Sequence, residues 1–508
     1  MKNIIYILSL FLFAACSGEE FLEEAKPSIE LAEDEFTENT KLDDLVRGAY
    51  FNMKSPGDFG PMDLFLYQTI ASDVVELKEY SDLVSGNNNM LPLYLRQPEI
   101  NDIRIVEWPW AGAQTLLFNV NTVLEFYDEN EPPADGFESW APRIRGESYF
   151  LRAFAHYLLA TTYAPPYSSD PDALGIILQT EPSRSPTDFK GRATNQEVYD
   201  QIISDLKNAI ALLPAEYDAN QHPEDYQDRA KQDAARFLLA KVYFLMGDQF
   251  WTAGQEGDGG ALEQINAIID SNRFPLLQGD DLKEIFLKKG LGEKVSETVW
   301  YASYYFRNGW RAPRYERVYG NFGGGNRNRG FAMSKAVLET LGWDDPAVAE
   351  LDERYNDWFR RYELNPADSS GIDPAYGSEY TDPYNVWCSK FTDLTANFVV
   401  FRSPELYLMR AAIRLANGDG AGAAEDLNVT RTRAGLPPLT TATEADVSVE
   451  WIKEMGFEGR RLFYLQGTQQ PVPPGDRAGT SPIPYNDPSL VRVLPRAELT
   501  RNPALAGE

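Results

Sequence analysis

The chain has 508 residues, of which 77 are acidic and 47 are lysine or arginine, a formal net charge of -30 at pH 7. That balance excludes nucleic acid as a partner, since its binding needs clustered cations that release counterions; the acidity suits a secreted or surface-exposed protein kept soluble by self-repulsion. A chain this long is not limited to one small core, so a helical body with an irregular second lobe is expected.

The chain opens with Lys2, the apolar run IIYILSLFLF and then Ala14-Ala15-Cys16. This reads as a secretory signal over residues 1–15, too short to span a bilayer. Phe13-Ala14-Ala15-Cys16 resembles a bacterial lipobox, which implies cleavage before Cys16, diacylation of its sulfur and a lipidated tether over residues 16–35. Cys388 then stands alone, so no disulfide framework is expected. His156 and His222 have no cysteine or carboxylate pattern around them at ligand spacing, and Asp170 and Asp172 carry no calcium-loop signature; no metal or cofactor is predicted.

Residues 36–281 read as a helical-repeat body with inserted loops. A first helix over 36–53 places Leu42, Leu45, Val46 and Ala49 on one face. Residues 67–104 read as irregular, closed by Trp108-Pro109-Trp110, after which LLFNVNTVLEFY forms a helix. Helix 143–163 carries Phe150, Phe154, Tyr157, Leu158 and Thr161 on one stripe and ends before Pro165-Pro166, with His156 expected as a hydrogen-bonded packing residue. Helix 195–213 is capped by Thr194 with Glu197 three residues on and ended by Pro214. Helix 234–246 follows, and 261–277 completes its pair.

From 282 to 397 the helical rhythm is lost, and this is the candidate ligand lobe of loops, short helices and few short strands. Alternation predicts a strand over 299–306, and Ser334 to Leu341 a helix; GGGNRNRG lacks the Gly-Lys-Ser/Thr of a phosphate loop. Residues 398–508 form a helical hairpin and an extended, proline-rich tail. Leu406, Met409, Ala412, Ile413 and Ala416 share a face, Gly418 ends that helix, and Ala421, Ala424 and Leu427 line the next. AARFLLAKVYFLMGD (234–248) and ELYLMRAAIRLANGD (405–419) look like two copies of one unit, similar to tetratricopeptide hairpins whose apolar faces only a neighbouring pair can cover.

The order of parts in 401–465 resembles the SusD/RagB family of outer-membrane nutrient-binding lipoproteins. Arg402, Glu405, Tyr407 and Leu408 open the hairpin, Gly418-Asp419 turns it, and Leu427-Asn428, Arg431, Arg433 to Leu436, then Phe457-Glu458-Gly459 and Arg461 follow. Trp451 and Tyr464 depart from the pattern, standing where the family usually has Arg and Asp, and read as lost polar partners. Asn121 matches a recurrent family asparagine. The resemblance implies a mainly α fold of tetratricopeptide-like hairpins with an irregular ligand-binding lobe, and a surface-exposed lipoprotein anchored in the outer membrane through Cys16, with the acidic run after Cys16 as an export tag. It implies a glycan ligand and a SusC-like TonB-dependent transporter as partner.

Three classes of function compete: such a glycan-binding lipoprotein, a glycoside hydrolase using two carboxylates, and a purely structural helical-repeat adaptor; the family also allows a peptide ligand. No nucleophile elbow, HExxH, Walker motif or dinucleotide fingerprint appears, so no enzyme is expected. A sugar platform needs flat apolar faces and planar polar groups. The face formed by 73–110 and 300–328 concentrates both, which nominates Trp108, Trp300, Tyr304, Trp310 and Tyr315 for stacking, with Asn308 and Arg311 as polar contacts. Trp310 leads, because Asn308-Gly309 before it and Pro313 after it predict a turn that exposes the ring.

Overall fold

The computed structural model describes residues 38–54, 60–77, 90–185, 187–218, 228–255, 257–278, 282–287, 294–302, 331–361, 386–391, 393, 396–477, 479 and 481–506. The longer helices before the lobe are α1 (Asn39–Lys54), α2 (Leu64–Ala71), α3 (Arg104–Glu129), α4 (Ala141–Tyr163), α5 (Asn195–Leu212), α6 (Gln232–Met246) and α7 (Gly260–Ile269). After it come α8 (Pro404–Ala416), α9 (Gly420–Arg433), α10 (Glu444–Met455) and α11 (Arg461–Gly467). Helices α3 to α10 pack each on the next in chain order, and α1 packs on α3 and α4. This is the fold class that the repeats predict. α7 meets α8 although residues 270–403 separate them in sequence, so the two similar hairpins stack directly.

The join between them is a pair of short strands, β2 (Thr298–Ala302) and β6 (Phe398–Arg402), which run antiparallel with Trp300 opposite Phe401 and Ala302 opposite Phe398. The other strands are β1 (Val75–Leu77), β3 (Phe331–Met333), β4 (Phe359–Arg361) and β5 (Val386–Cys388); β1 pairs with β3 and β4 with β5. All three pairs are two-stranded.

Local chemistry sets the ends of these elements. Thr194 accepts a hydrogen bond from the Glu197 amide while Glu197 bonds back to Thr194, the reciprocal cap expected at the start of α5. α8 ends with Gly418 at φ +81°, a left-handed conformation that a side chain would strain. Two boundaries differ from the sequence reading. α2 occupies the start of the stretch expected to be irregular; every one of its eight residues is buried, so no polar face marks a helical period. α3 begins at Arg104, and Pro109 sits inside it; lacking an N–H, Pro109 only forgoes a bond to Ile105, close enough to the helix start for the cost to be local. Strand β2 is described as far as Ala302, while Cys16 and the signal and tether around it lie outside the described residues.

His156 corrects a further expectation. It is fully buried in α4 with neither ring nitrogen hydrogen-bonded, and burial, aided by Arg152, pushes its pKa down to about 3. The ring is a neutral packing residue. Trp451 and Tyr464 are not stranded either: their rings stack on each other with centroids 4.7 Å apart, and the Trp451 indole donates to the Arg460 carbonyl at 3.0 Å.

A buried charge network ties the hairpins to the lobe. Arg402, at the end of β6, holds both oxygens of Glu458 at 2.8 and 2.9 Å, reaches Glu297 at 3.2 Å and pairs with Glu454. Arg433, at the end of α9, pairs with Glu297 and Glu454. Arg354 engages Asp352, Glu450 and Glu454; Lys390 pairs with Glu458 at 2.6 Å and Lys453 with Asp352 at 3.3 Å. Five cations thus meet five carboxylates, all buried. Burial alone would raise the pKa of Glu454, but Arg433, Arg402 and Arg354 outweigh it and hold the carboxyl well below the usual range.

A depressed folded-state pKa gives stability that is present above the unfolded value, about 4.3 for a glutamate, and is lost as pH falls through the folded value. Glu454→Gln is therefore expected to cost about 3–5 kcal/mol at pH 7, because it strands buried cations. The gap from wild type should shrink as pH falls below about 4. Urea unfolding at both pH values measures it, and equal midpoints at pH 7 would show that the network contributes nothing.

Candidate functional site

The pairing of β1 with β3 sets part of the first segment nominated from sequence, 73–110, against residues that follow the second, 300–328. Val75 lies opposite Met333 and Leu77 opposite Phe331, so the chain leaves β1 and enters β3 at the same end of the ribbon. Leu77 and Phe331, which border residues 78–89 and 303–330 in sequence, are therefore neighbours. The Ser334 amide donates to the Val74 carbonyl at 2.8 Å and closes the opposite end. Just before β1, Asp73 accepts two hydrogen bonds from Arg461 at 2.9 and 3.0 Å, which moors the ribbon to α11.

The proline-rich tail supports the same ribbon from below. Gly475 takes φ +62°, and a Cβ there would come 2.9 Å from the Asp73 carbonyl oxygen, so the turn requires glycine. Arg477 donates to the carbonyls of Tyr94 (2.5 Å), Ile70 (2.7 Å) and Pro474 (2.7 Å), with its guanidinium 4.3 Å from the centre of the Tyr94 ring. Burial lowers its pKa to about 10, which leaves it charged at neutral pH. Arg96 donates to Ala71 and Pro473, both at 2.9 Å. The Tyr94 ring in turn lies 6.0 Å from that of Phe331.

Of the nominated residues, two are described. Trp108 lies in the second turn of α3, half-buried, with the Arg104 guanidinium 4.9 Å from its ring centre. Trp300 belongs to the core: it is 2% exposed, meets Phe150 and Phe154 edge-on at 4.8 and 5.1 Å, and donates its indole N–H to the Asp228 carbonyl at 3.0 Å. Its ring has no open face for a ligand, because strand β2 turns this position onto α4 and not outward. Tyr304, Asn308, Trp310, Arg311 and Tyr315 lie outside the described residues. Asp73, Tyr94, Arg96, Asp476 and Arg477 were not anticipated. Gly475 after two prolines marks a turn, but nothing local announces a partner almost 400 residues away.

The motif residues of 401–465 have structural work instead. Besides Arg402, Arg433 and Glu458 in the charge network, Glu405 pairs with Lys241 and Arg460. Asn428 donates to the Leu439 carbonyl and accepts from its amide, both at 2.8 Å. Asn121 donates to the carbonyls of Gln179 and Glu181 and accepts from Arg152 at 3.1 Å. Among the described residues, no cluster of three His, Cys, Asp or Glu side chains is placed to hold a metal ion.

Comparison with known proteins adds the following. A family model described as starch-binding associating with outer membrane matches residues 20–244, and a model of the SusD family matches residues 304–466. A SusD-like protein of Formosa agariphila is 23% identical, with 90% of this chain aligned to 85% of that one. Among solved structures, a SusD superfamily protein of Bacteroides thetaiotaomicron superposes with a TM-score of 0.73 at 18% identity, covering 92% of this chain and 98% of the other. The surface glycan-binding protein A of Bacteroides uniformis gives 0.69 at 19% identity, over 92% and 99%.

Trp300→Ala is expected to lower stability by about 3–5 kcal/mol, as loss of a packed aromatic ring does, read from the urea unfolding midpoint. A variant as stable as wild type would return this ring to the surface.

Proposed function

Since the chain belongs to the SusD/RagB family, we propose that it is a cell-surface lipoprotein that binds a glycan and passes it to a SusC-like TonB-dependent transporter of the outer membrane. The observation that supports the ligand-binding part is the β1–β3 register, which sets Leu77 beside Phe331, the residues that border 78–89 and 303–330 in sequence. The second of these stretches contains Tyr304, Asn308, Trp310, Arg311 and Tyr315, the stacking and hydrogen-bonding side chains that a sugar platform needs. The names of two structural neighbours, a surface glycan-binding protein and a putative sugar-binding protein of Bacteroides vulgatus, support the same ligand class.

Charge narrows the ligand further. Residues 303–330 hold six arginines and one glutamate in a chain whose net charge is -30, so a polysaccharide bearing carboxylate or sulfate would meet local positive charge. We read the chain as a binding protein and not a hydrolase, because the family model over residues 20–244 is described as starch-binding and a structural neighbour is named a glycan-binding protein. No helix among the described residues is long and apolar enough to cross a membrane. Anchoring in this reading rests on acylated Cys16.

Affinity electrophoresis against neutral and acidic polysaccharides, run beside a reducing-end release assay, tests the function: retardation without release is expected, whereas release without retardation would favour a hydrolase. On a retarding polysaccharide, Trp310→Ala should weaken binding by about 1–3 kcal/mol with an unchanged unfolding midpoint. Binding that survives while the midpoint drops would place Trp310 in the core. Separately, Cys16→Ala should move the protein from the detergent phase to the soluble fraction, since two or more acyl chains are what hold such a protein on a bilayer. Retention of the variant on membranes would overturn the anchor.

A further inference from the structure

The turn that leads into α2 buries a carboxyl with no cation beside it. Pro61–Asp63 form one turn of 3-10 helix, all buried, with α1, α2, α3 and α4 packed around it. The fit is close, since a Cβ on Gly112 of α3 would come 2.9 Å from Cδ of Pro61. Asp63 is 4% exposed; its Oδ2 accepts from the Gly60 amide at 2.7 Å, and its Oδ1 is buried without a hydrogen-bond partner.

The ionisable groups buried on the surrounding helices are engaged elsewhere. Asp43 of α1 and Arg143 and Glu147 of α4 pair with one another and with Arg229, and Arg152 of α4 pairs with Asp205. Tyr50 of α1 accepts from the Ala230 amide, while Tyr67 of α2, Tyr127 of α3 and Tyr163 of α4 donate to Leu490, Asn39 and Val106. His156 and Tyr157 of α4 stay uncharged, because burial pushes the first down and the second up. Lys41, Asp44 and Arg47 of α1 are exposed to water, and Arg104 of α3 lies over Trp108. Only burial and the Gly60 amide bear on Asp63. A lone carboxylate in such a place is costly enough that the group keeps its proton instead.

We propose that Asp63 is a proton-dependent fastener of the junction between α1 and α2: its neutral acid fills the seam between four helices, and loss of the proton puts an unpaired charge there and loosens the fold. Burial raises this carboxyl from the ordinary 3.8 to about 7. An acid raised in this way holds its proton more tightly folded than unfolded, so its contribution is complete below the unfolded value and is lost as pH rises to the folded one. Lys241, which burial lowers to about 7, acts above that pH and with the opposite sign; a variant at position 63 compared with wild type at each pH isolates Asp63.

Urea unfolding of wild type and Asp63→Asn at pH 5 and pH 8 tests the fastener. Asparagine keeps an oxygen for the Gly60 amide and carries no charge. The unfolding constant of wild type divided by that of Asp63→Asn should rise by about 100-fold between the two pH values, since each pH unit between about 5 and 7 contributes a factor of ten. Asp63→Ser, also uncharged and able to cap the turn, takes its place if the asparagine variant does not fold. A ratio that stays constant would show that Asp63 titrates alike in the folded and unfolded chain and would overturn the proposal. A ratio that falls would show that the folded carboxyl is ionised and paired, which overturns it as well.

Discussion

Five buried cations and five buried carboxylates around Glu454 constrain the rest of this molecule. Charges removed from water are costly unless each finds a partner at hydrogen-bonding distance. Here the partners come from separate parts of the chain: Glu297 from before β2, Arg354 and Lys390 from the lobe, Arg402 from β6, Arg433 from α9, and Glu450, Glu454 and Glu458 from α10 and the turn after it. Removing any one of these elements would leave an unpaired charge in the interior. The network therefore specifies which elements must meet, a role that apolar packing, being non-directional, fills less well.

That specification explains how a long insertion coexists with a continuous helical stack. The chain departs along β2 and returns along β6, and these strands are paired, so the hairpin of α6 and α7 and that of α8 and α9 can stack as neighbours. Trp300 and Phe401 face one another across that pair and sink into α4 together with Phe150 and Phe154. Aromatic packing fills the join, and the charge network orients it.

The helices were largely readable because most of them show water one face. The stripe of Leu42, Val46 and Ala49 and, on α9, Ala424 and Leu427 are buried as their spacing predicts, whereas Ala421, in the first turn of α9, is exposed. α2 escaped because burial on every side removes the periodic signal. Trp300 was misplaced for a related reason: in a strand, alternation tells which residues share a face but not which face is the wet one. The polar motif of 401–465 identified the family without revealing why its residues are polar, since Arg402 and Glu454 acquire meaning only once five distant elements converge. The contacts of Asp73 with Arg461 and of Tyr94 with Arg477 join residues nearly 400 positions apart, beyond the reach of any local pattern.

Trp451 and Tyr464 occupy places where relatives in this family usually carry arginine and aspartate, and here the two rings lie on each other. The opposite charges that the family resemblance implies at these positions and the stack found here do not mix. An arginine at 451 facing Tyr464, or an aspartate at 464 facing Trp451, would break the stack and bury a charge where both residues are about 1% exposed or less. Each intermediate is penalised, so the two positions should change as a linked pair along a lineage. A chimera that crosses over between α10 and α11 would inherit the mismatch even though every residue in it is native to one parent or the other.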